Sequence, residues 1–392
     1  MIPVAEAQAR ILALLRPLPA EDVPLRSLAG RVLAGPVTAL HDQPPFAASA
    51  MDGYAVAGGV PAVGDRFRVT GEAAAGHPFA GSVDAGEAVR IFTGAPVPDG
   101  AERVLIQEDV ARDGAAIAVA RDPGAQDHVR PAGGDFARGT AFDPGRRLGA
   151  RDVALIAAMG HARVPAIRRP VVAILMTGDE LRAPGTALGP GGITASNGYG
   201  LAVMVEARGA EARLLPIARD DRRHLAECLS LADGADLLLT VGGASVGDHD
   251  LVAAALVESG VTLDFHKVAM RPGKPLMAGR SAAMAVLGLP GNPVSALVCA
   301  QVFAAPMIDR MLGLGDAARP VPRPLAAAIE ANGPRQHYMR ARIEADGAVH
   351  VAARQDSSLL SVLASSDCLV VRAPDDPARA AGETVETLPL DG

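Results

Sequence analysis

The sequence predicts a multidomain α/β protein built around a central doubly wound, mostly parallel sheet. Three observations predict it. At 392 residues the chain is longer than one ordinary domain. Between 170 and 310, continuous apolar stretches alternate with helix-length segments, the pattern of strands buried on both faces. From 45 to 140, and again from 321 onward, short apolar stretches alternate with glycine, proline and aspartate, the pattern of turn-rich β domains.

Residues 5–15 carry a helical pattern stopped by Pro17 and Pro19. A second short helix is expected over 28–33. Strands at 67–69, 88–92, 103–106 and 116–119 form a β-rich domain over 45–140. Residues 151–159 return to helix and stop at Gly160. The early helices and this one make a small helical or mixed linking domain, 1–44 plus 141–168, into which the β-rich domain is inserted. The α/β domain takes 169–316. Its expected strands are 171–176, 211–217, 236–241 and 283–287, and its expected helices 199–208, 221–231, 249–258 and one beginning near Ser295. Strands at 325–330, 338–343, 349–353 and 368–372 make 317–392 a compact, barrel-like C-terminal β domain.

Composition narrows the function. A net charge of -7 argues against general nucleic-acid binding, which needs a basic field. With no tryptophan and 3% aromatic residues, stacking platforms for single strands are not expected either. The N-terminus has no basic region followed by an apolar stretch, and no run of uncharged apolar residues is long enough for a membrane span. A soluble cytoplasmic protein is expected. Cys228, Cys299 and Cys368 are far apart and odd in number, as suits buried free thiols in a reducing compartment.

Ligands of doubly wound sheets bind where strand carboxyl ends feed into loops. Thr177-Gly178-Asp179-Glu180 follows the first buried strand. Its carboxylates suit Mg2+, which takes oxygen ligands and bridges to substrate phosphates, or else they cap a helix. Gly242-Gly243-Ala244-Ser245-Val246-Gly247-Asp248-His249-Asp250 follows another strand. Its glycines and Ser245 offer backbone N–H groups to an anion, and Asp248 and Asp250 suit a metal or a hydroxyl; the alternative is a loop chosen for geometry. Neither a Walker A nor a dinucleotide spacing is present. Pro290-Gly291-Asn292-Pro293-Val294-Ser295 is a stiff loop in which Asn292 and Ser295 can read polar groups or cap a helix.

The chain has only two lysines, Lys267 and Lys274. Arg271 and Lys274 flank Pro272-Gly273 and present two cations on a tight turn. That is a grip for phosphate or another oxyanion, or a solvated basic turn. Lys267, at the end of a strand, supports the turn. The polar turns at 49–55, 90–98, 107–108 and 130–135 are, each alone, structural. No histidine pair has metal-ligand spacing, and no Gly-x-Ser-x-Gly elbow occurs.

Taken together, these segments resemble the molybdopterin molybdenumtransferase family of molybdenum-cofactor synthesis. The matching stretches are Ser49-Ala50-Met51-Asp52-Gly53-Tyr54-Ala55, Ile91-Phe92-Thr93-Gly94-Ala95-Pro96-Val97-Pro98, Thr177-Gly178-Asp179-Glu180-Leu181, Gly242 to Asp248, Arg271-Pro272-Gly273-Lys274-Pro275 and Leu289 to Ser295. They cover essentially the whole chain in the family's order.

The resemblance implies an elongated homodimer of four-domain subunits, with active sites formed between subunits and an α/β domain similar to the molybdopterin adenylyltransferases. It implies adenylated molybdopterin and molybdate as substrates, Mg2+ as cofactor and AMP as a product. Transient contact with a molybdopterin adenylyltransferase and with molybdoenzyme maturation proteins is implied too. By resemblance, Asp179, Glu180, Asp248 and Asp250 hold Mg2+. Ser245, Gly247, Arg271, Lys274, Asn292 and Ser295 face the pterin phosphates or the anion. Thr177, Gly178, Gly242, Gly243, Pro290, Pro293 and Ser357 complete the binding set. Asp52, Thr93, Arg130 and Asp135 come from the partner subunit and close the cleft. Catalysis is expected from Asp52, Thr93, Asp135, Asp179, Glu180 and Asp248. Arg271 stands where relatives often carry lysine, and Asp356 and Ser358 depart from the glycine that usually accompanies the family's serine. An adenylyltransferase, or a non-enzymatic scaffold using the same domain, are the alternatives; the extra β domains favour the transferase.

Overall fold

The computed structural model describes residues 1–243, 251–315 and 320–390. Burial on both faces organises its centre. The strand order is Glu211–Leu214, Val171–Met176, Leu237–Val241, Ala285–Leu289, Pro275–Arg280 and Thr262–Lys267. The first four run parallel and the last two join antiparallel. Pleat alternation sends Ile174, Leu239 and Leu287 to one core and Ala173, Leu175, Leu238 and Val286 to the other. Helix Asn197–Ala207 packs on the first face against Val171–Met176 and Glu211–Leu214, beside Pro293–Met311, against which Val4–Ala13 also packs. Helices Arg222–Ser230 and Leu251–Glu258 cover the second. From Val171–Met176 the chain winds first to one side and then to the other, so the sheet has its topological switch point beside that strand.

Pro293–Met311 is apolar and long enough to cross a membrane by composition (19 residues, mean hydropathy 1.3), yet 83% of that stretch is buried inside the protein. It contains a π-helical turn, Ala300–Ala304. Cys228, Cys299 and Cys368 are free and buried.

Around the linking core of Val23, Leu28, Leu33, Ile156 and Val164, Ala20–Pro24 pairs antiparallel with Arg163–Ile167. The helix expected over 28–33 does not form. Leu25–Ser27 makes one 3-10 turn, Gly30 takes φ +75°, and Leu33 bridges to Ala166. A positive φ cannot be accommodated inside a right-handed helix, and the strand bridge claims the following residues.

Between 53 and 119 lies a sheet of six strands, ordered Arg103–Ile106, Gly53–Val56, Glu87–Ile91, Arg66–Ala73, Ala116–Val119 and Val110–Asp113. Gly53–Val56, which reads in the sequence as part of a polar turn, is a buried inner strand. A side chain at Gly53 would stand 1.9 Å from the Leu105 carbonyl oxygen, so glycine lets the two strands approach.

In the C-terminal sheet, Gln336–Ile343 pairs with Val349–Val351 and Cys368–Arg372; Thr384–Pro389 and then Val321–Pro324 follow. The Leu325–Val349 bridge returns the last strand to the first. The strand expected over 325–330 is reduced to two isolated bridges, Leu325–Val349 and Ile329–Arg379. The strand instead precedes it, where Pro322 and Pro324 masked it in the sequence; proline is tolerated on such edges.

Met270–Arg271 adds to this sheet, parallel to Gln336–His337. The cation turn is therefore mounted between the α/β and C-terminal sheets. Beneath it, the Cys299 Sγ lies 3.8 Å from the Gly273 carbonyl oxygen. Gly273 has φ +102°, and a Cβ there would fall 2.2 Å from that sulfur. Elsewhere the domains are joined by charge: buried Asp309 accepts from Arg208 at 3.2 Å and from Arg147 of the linking region.

Three expectations follow from this packing. Gly273→Ala meets both left-handed backbone and sulfur, and should lower stability by about 1–3 kcal/mol in chemical unfolding, as overpacking does. Asp309→Ala leaves Arg208 buried and unpaired and should cost about 3 kcal/mol, while Arg68→Ala, which removes an exposed partner of Glu87, should leave the midpoint unchanged. His337 lies in register between Arg271 and Arg372 and is only 6% exposed. Burial, and then the neighbouring arginines, push its pKa down to about 4. Unfolded, the ring takes a proton near its ordinary value, so its contribution is full above about pH 6.5 and is lost as pH falls toward 4. Urea midpoints of His337→Gln and wild type should therefore depend differently on pH across that window, by up to about 1.4 kcal/mol per pH unit.

Candidate active site

Three adjacent parallel strands end at one level, and the loops leaving them enclose a cleft of about 700 Å3 at the switch point. Thr177, Gly178 and Glu180 line it from the first strand, Gly242 and Gly243 from the second, and Pro290, Asn292 and Pro293 from the third. The Thr177 N–H donates to the Val241 carbonyl at 3.0 Å, and the Gly242 N–H to the Leu289 carbonyl at 3.2 Å. Gly242 has φ +94°, and a Cβ there would lie 2.7 Å from the Thr177 carbonyl oxygen; one at Gly243 would lie 2.2 Å from the Val252 side chain. The glycines thus serve close approach of the loops, and the Gly242 N–H is spent on the ladder.

Carboxylates gather on one rim. The Glu180 carboxylate folds back over Gly178, whose Cβ, were it present, would be 2.5 Å from Oε2. The exposed Asp179 accepts from the Asp220 N–H at 3.2 Å, and Asp220 itself lines the cleft. Among the described residues, no group of three His, Cys, Asp or Glu is arranged to hold a metal. Asn197 ties the helix start to the third loop by donating to the Gly291 carbonyl at 2.8 Å.

A basic turn adjoins the cleft. Arg271 and Lys274 are exposed on their turn, and the next residue, Pro275, lines the cleft. The C-terminal domain reaches the same place: Asn292 Nδ2 donates to Ser357 Oγ at 3.2 Å, and the Val294 N–H donates to the Ser357 carbonyl. The two residues that depart from the family pattern build the turn that presents Ser357. Asp356 accepts from both the Ser358 N–H (2.8 Å) and its hydroxyl (2.6 Å), which hold the Asp356 carboxyl below its usual range. Arg340, 1% exposed, secures this loop by donating to the Asp356 carbonyl and to Gln355 Oε1. Ser295 is buried in the helix below the loop and does not line the cleft.

Ser245, Gly247, Asp248 and Asp250 lie outside the described residues. Asp52, Thr93, Arg130 and Asp135 do not line the cleft of their own chain. Asp52 and Thr93 are together: the Thr93 N–H and hydroxyl donate to Asp52 Oδ1 at 2.8 and 2.7 Å and hold its carboxyl below the usual range. Arg130 is exposed on Val129–Arg130, which pairs with Ala48–Ser49, and Asp135 is exposed nearby.

Asp220, Asn197 and Arg340 were not legible as site residues. For Asp220 a signal existed. It follows Glu211–Leu214, whose extension bridges Ala218 to Thr177, so it too sits past a parallel strand end. Arg340 gave none, because it acts from inside a strand of another domain.

Family comparisons match this architecture from end to end. The model described as the MoeA N-terminal region (domain I and II) matches residues 2–160, that of a probable molybdopterin binding domain 173–310, and that of the MoeA C-terminal region (domain IV) 322–390. A molybdopterin molybdenumtransferase of Nostoc is 36% identical over 77% of this chain and 71% of its own length. That of Haemophilus influenzae is 31% identical over 100% and 99%. The solved structure of a molybdopterin biosynthesis moeA protein from Pyrococcus horikosii superposes with a TM-score of 0.87 at 28% identity, covering 100% of both chains. On chain-wide sequence and fold, this protein belongs to the molybdopterin molybdenumtransferase family and is an enzyme of that family.

Proposed function

We propose that this chain inserts molybdate into the dithiolene of adenylated molybdopterin and releases AMP with Mg2+. The observation that carries the reading is the cleft at the strand ends, lined by Glu180, Asp220 and Asn292 and adjoined through Pro275 by the turn that bears Arg271 and Lys274. A phosphoanhydride substrate and an oxyanion need both. Lys274 and Arg271 neutralise oxyanion charge, and Asn292 and Ser357 orient it by hydrogen bonds. The lack of side chains at Gly242 and Gly243 keeps the loops close at the strand ends where the phosphate would sit. No protein nucleophile is needed, since soft sulfur ligands come with the substrate.

Asp179, Glu180 and Asp220 are oxygen donors, with Asp248 and Asp250 expected from the adjoining loop. This donor set fits Mg2+, which uses one or two carboxylates plus substrate phosphates rather than an all-protein cage. An ion held by these carboxylates would supply positive charge to the phosphates of the substrate.

The domain division 1–44 plus 141–168, 45–140, 169–316 and 317–392 belongs to the same proposal, as does likeness of the third domain to molybdopterin adenylyltransferases. The Asp52–Thr93 pair, exposed and away from its own cleft, supports a homodimer in which it, Arg130 and Asp135 close the partner's site. Adenylated substrate supplied by a separate adenylyltransferase, and handover to molybdoenzyme maturation proteins in the cytoplasm, complete the reading.

Purified protein incubated with adenylated molybdopterin, Mg2+ and molybdate should release AMP only when molybdate is added. An adenylyltransferase would instead consume nucleotide, and a scaffold would do neither. Asp179→Ala should reduce AMP release by about 100-fold or more with an unchanged melting midpoint. Normal turnover in that variant would remove Asp179 from the site.

A further inference from the structure

We infer that Arg90 is a positioning residue that holds the Asp52–Thr93 pair in its working geometry. The inference rests on the function proposed above for that pair. Arg90 stands opposite Tyr54 in the ladder between Glu87–Ile91 and Gly53–Val56. Its guanidinium carbon lies 5.0 Å from the Tyr54 ring centroid and 4.8 Å from that of Phe92. The chain has only 3 tyrosines, 8 phenylalanines and no tryptophan, so one from each small set is spent on a single arginine. Stacking on rings needs the planar cation that lysine lacks.

The same guanidinium donates to the Gly53 carbonyl at 3.1 Å and to Gln107 Oε1 at 2.8 Å. Gln107 in turn donates its N–H to the Asp52 carbonyl at 3.1 Å. Gly53 follows Asp52, and Phe92 precedes Thr93. Arg90 therefore grips the backbone beside Asp52, the ring beside Thr93 and the side chain of the residue bonded to Asp52. None of these contacts is to the Asp52 carboxylate itself. What they set is the distance over which both Thr93 donors reach Asp52 Oδ1. Among the described residues Oδ2 receives no hydrogen bond from the chain, so the pair offers one oxygen outward. The two Thr93 hydrogen bonds, and after them the positive charge of Arg90, favour ionised Asp52.

The test is a double-mutant cycle on full-length protein, using molybdate-triggered AMP release, with Arg90→Gln, Asp52→Asn and the pair combined. Arg90→Gln should lower turnover by about ten- to a hundredfold, the scale of a small misplacement of a reacting group. Because Arg90 acts through Asp52, the combined variant should match Asp52→Asn within about twofold. A combined loss equal to the product of the single losses, or full activity in Arg90→Gln, overturns the inference. Arg90→Lys keeps the charge without the stacking plane, guards against a variant that fails to fold, and should restore little turnover. Hydrogen–deuterium exchange of the Thr93 amide gives a readout independent of catalysis. It should quicken in Arg90→Gln and Arg90→Lys; unchanged exchange in both overturns the inference. If wild-type protein releases no AMP on addition of molybdate, the proposed function fails, and exchange at Thr93 still decides the role of Arg90.

Discussion

The closure of the backbone ladder across the ends of three parallel strands governs everything built above it. Two hydrogen bonds, from Thr177 to Val241 and from Gly242 to Leu289, carry the sheet one residue beyond its strands. They bring the loops so close that a Cβ on Gly242 would meet the Thr177 carbonyl oxygen. Because the loops start level, their polar groups face one cleft. Because the chain reverses its winding direction beside Val171–Met176, that cleft is not filled by a crossing connection.

The cation turn depends on a second constraint. It belongs to the α/β sheet through the strands on either side, yet Met270–Arg271 is hydrogen-bonded into the C-terminal sheet, and Cys299 fills the space beneath Gly273. Ser357 arrives from that C-terminal domain, held by buried Arg340. The position of the C-terminal domain therefore sets the geometry of the cation turn and of Ser357. Asp309, shared by Arg208 and Arg147, makes a comparable link to the linking region. Such buried charge contributes little net stability but is costly to break, so it fixes how the parts are arranged.

The inserted domain repeats the theme at smaller scale. It carries a short-range pair, Asp52 and Thr93, on a base of one arginine and two rings. A carboxylate ordered by two donors and presented at the surface suits a site completed by another body of protein.

Much of this was legible in the sequence by itself. Buried parallel strands announce themselves as continuous apolar runs, and the loops after 176, 241 and 289 could be read as a ligand site because binding follows strand ends. The free, buried cysteines could be read as well. Local pattern failed where pairing across the chain overrode it. Gly53–Val56 became an inner strand because Leu105 lies against Gly53, the segment 28–33 lost its helix to Gly30 and a bridge to Ala166, and Val321–Pro324 formed despite two prolines. Residue types and their order thus determined the fold class, the strand-end loops and the kind of chemistry they can hold. Only the tertiary structure decided that Asp220 lines that cleft, that Ser357 meets Asn292, that Arg340 and Cys299 support the neighbouring loops, and that Arg90 underlies Asp52. Those contacts join residues distant in the chain, and no local spacing encodes which distant surfaces will meet.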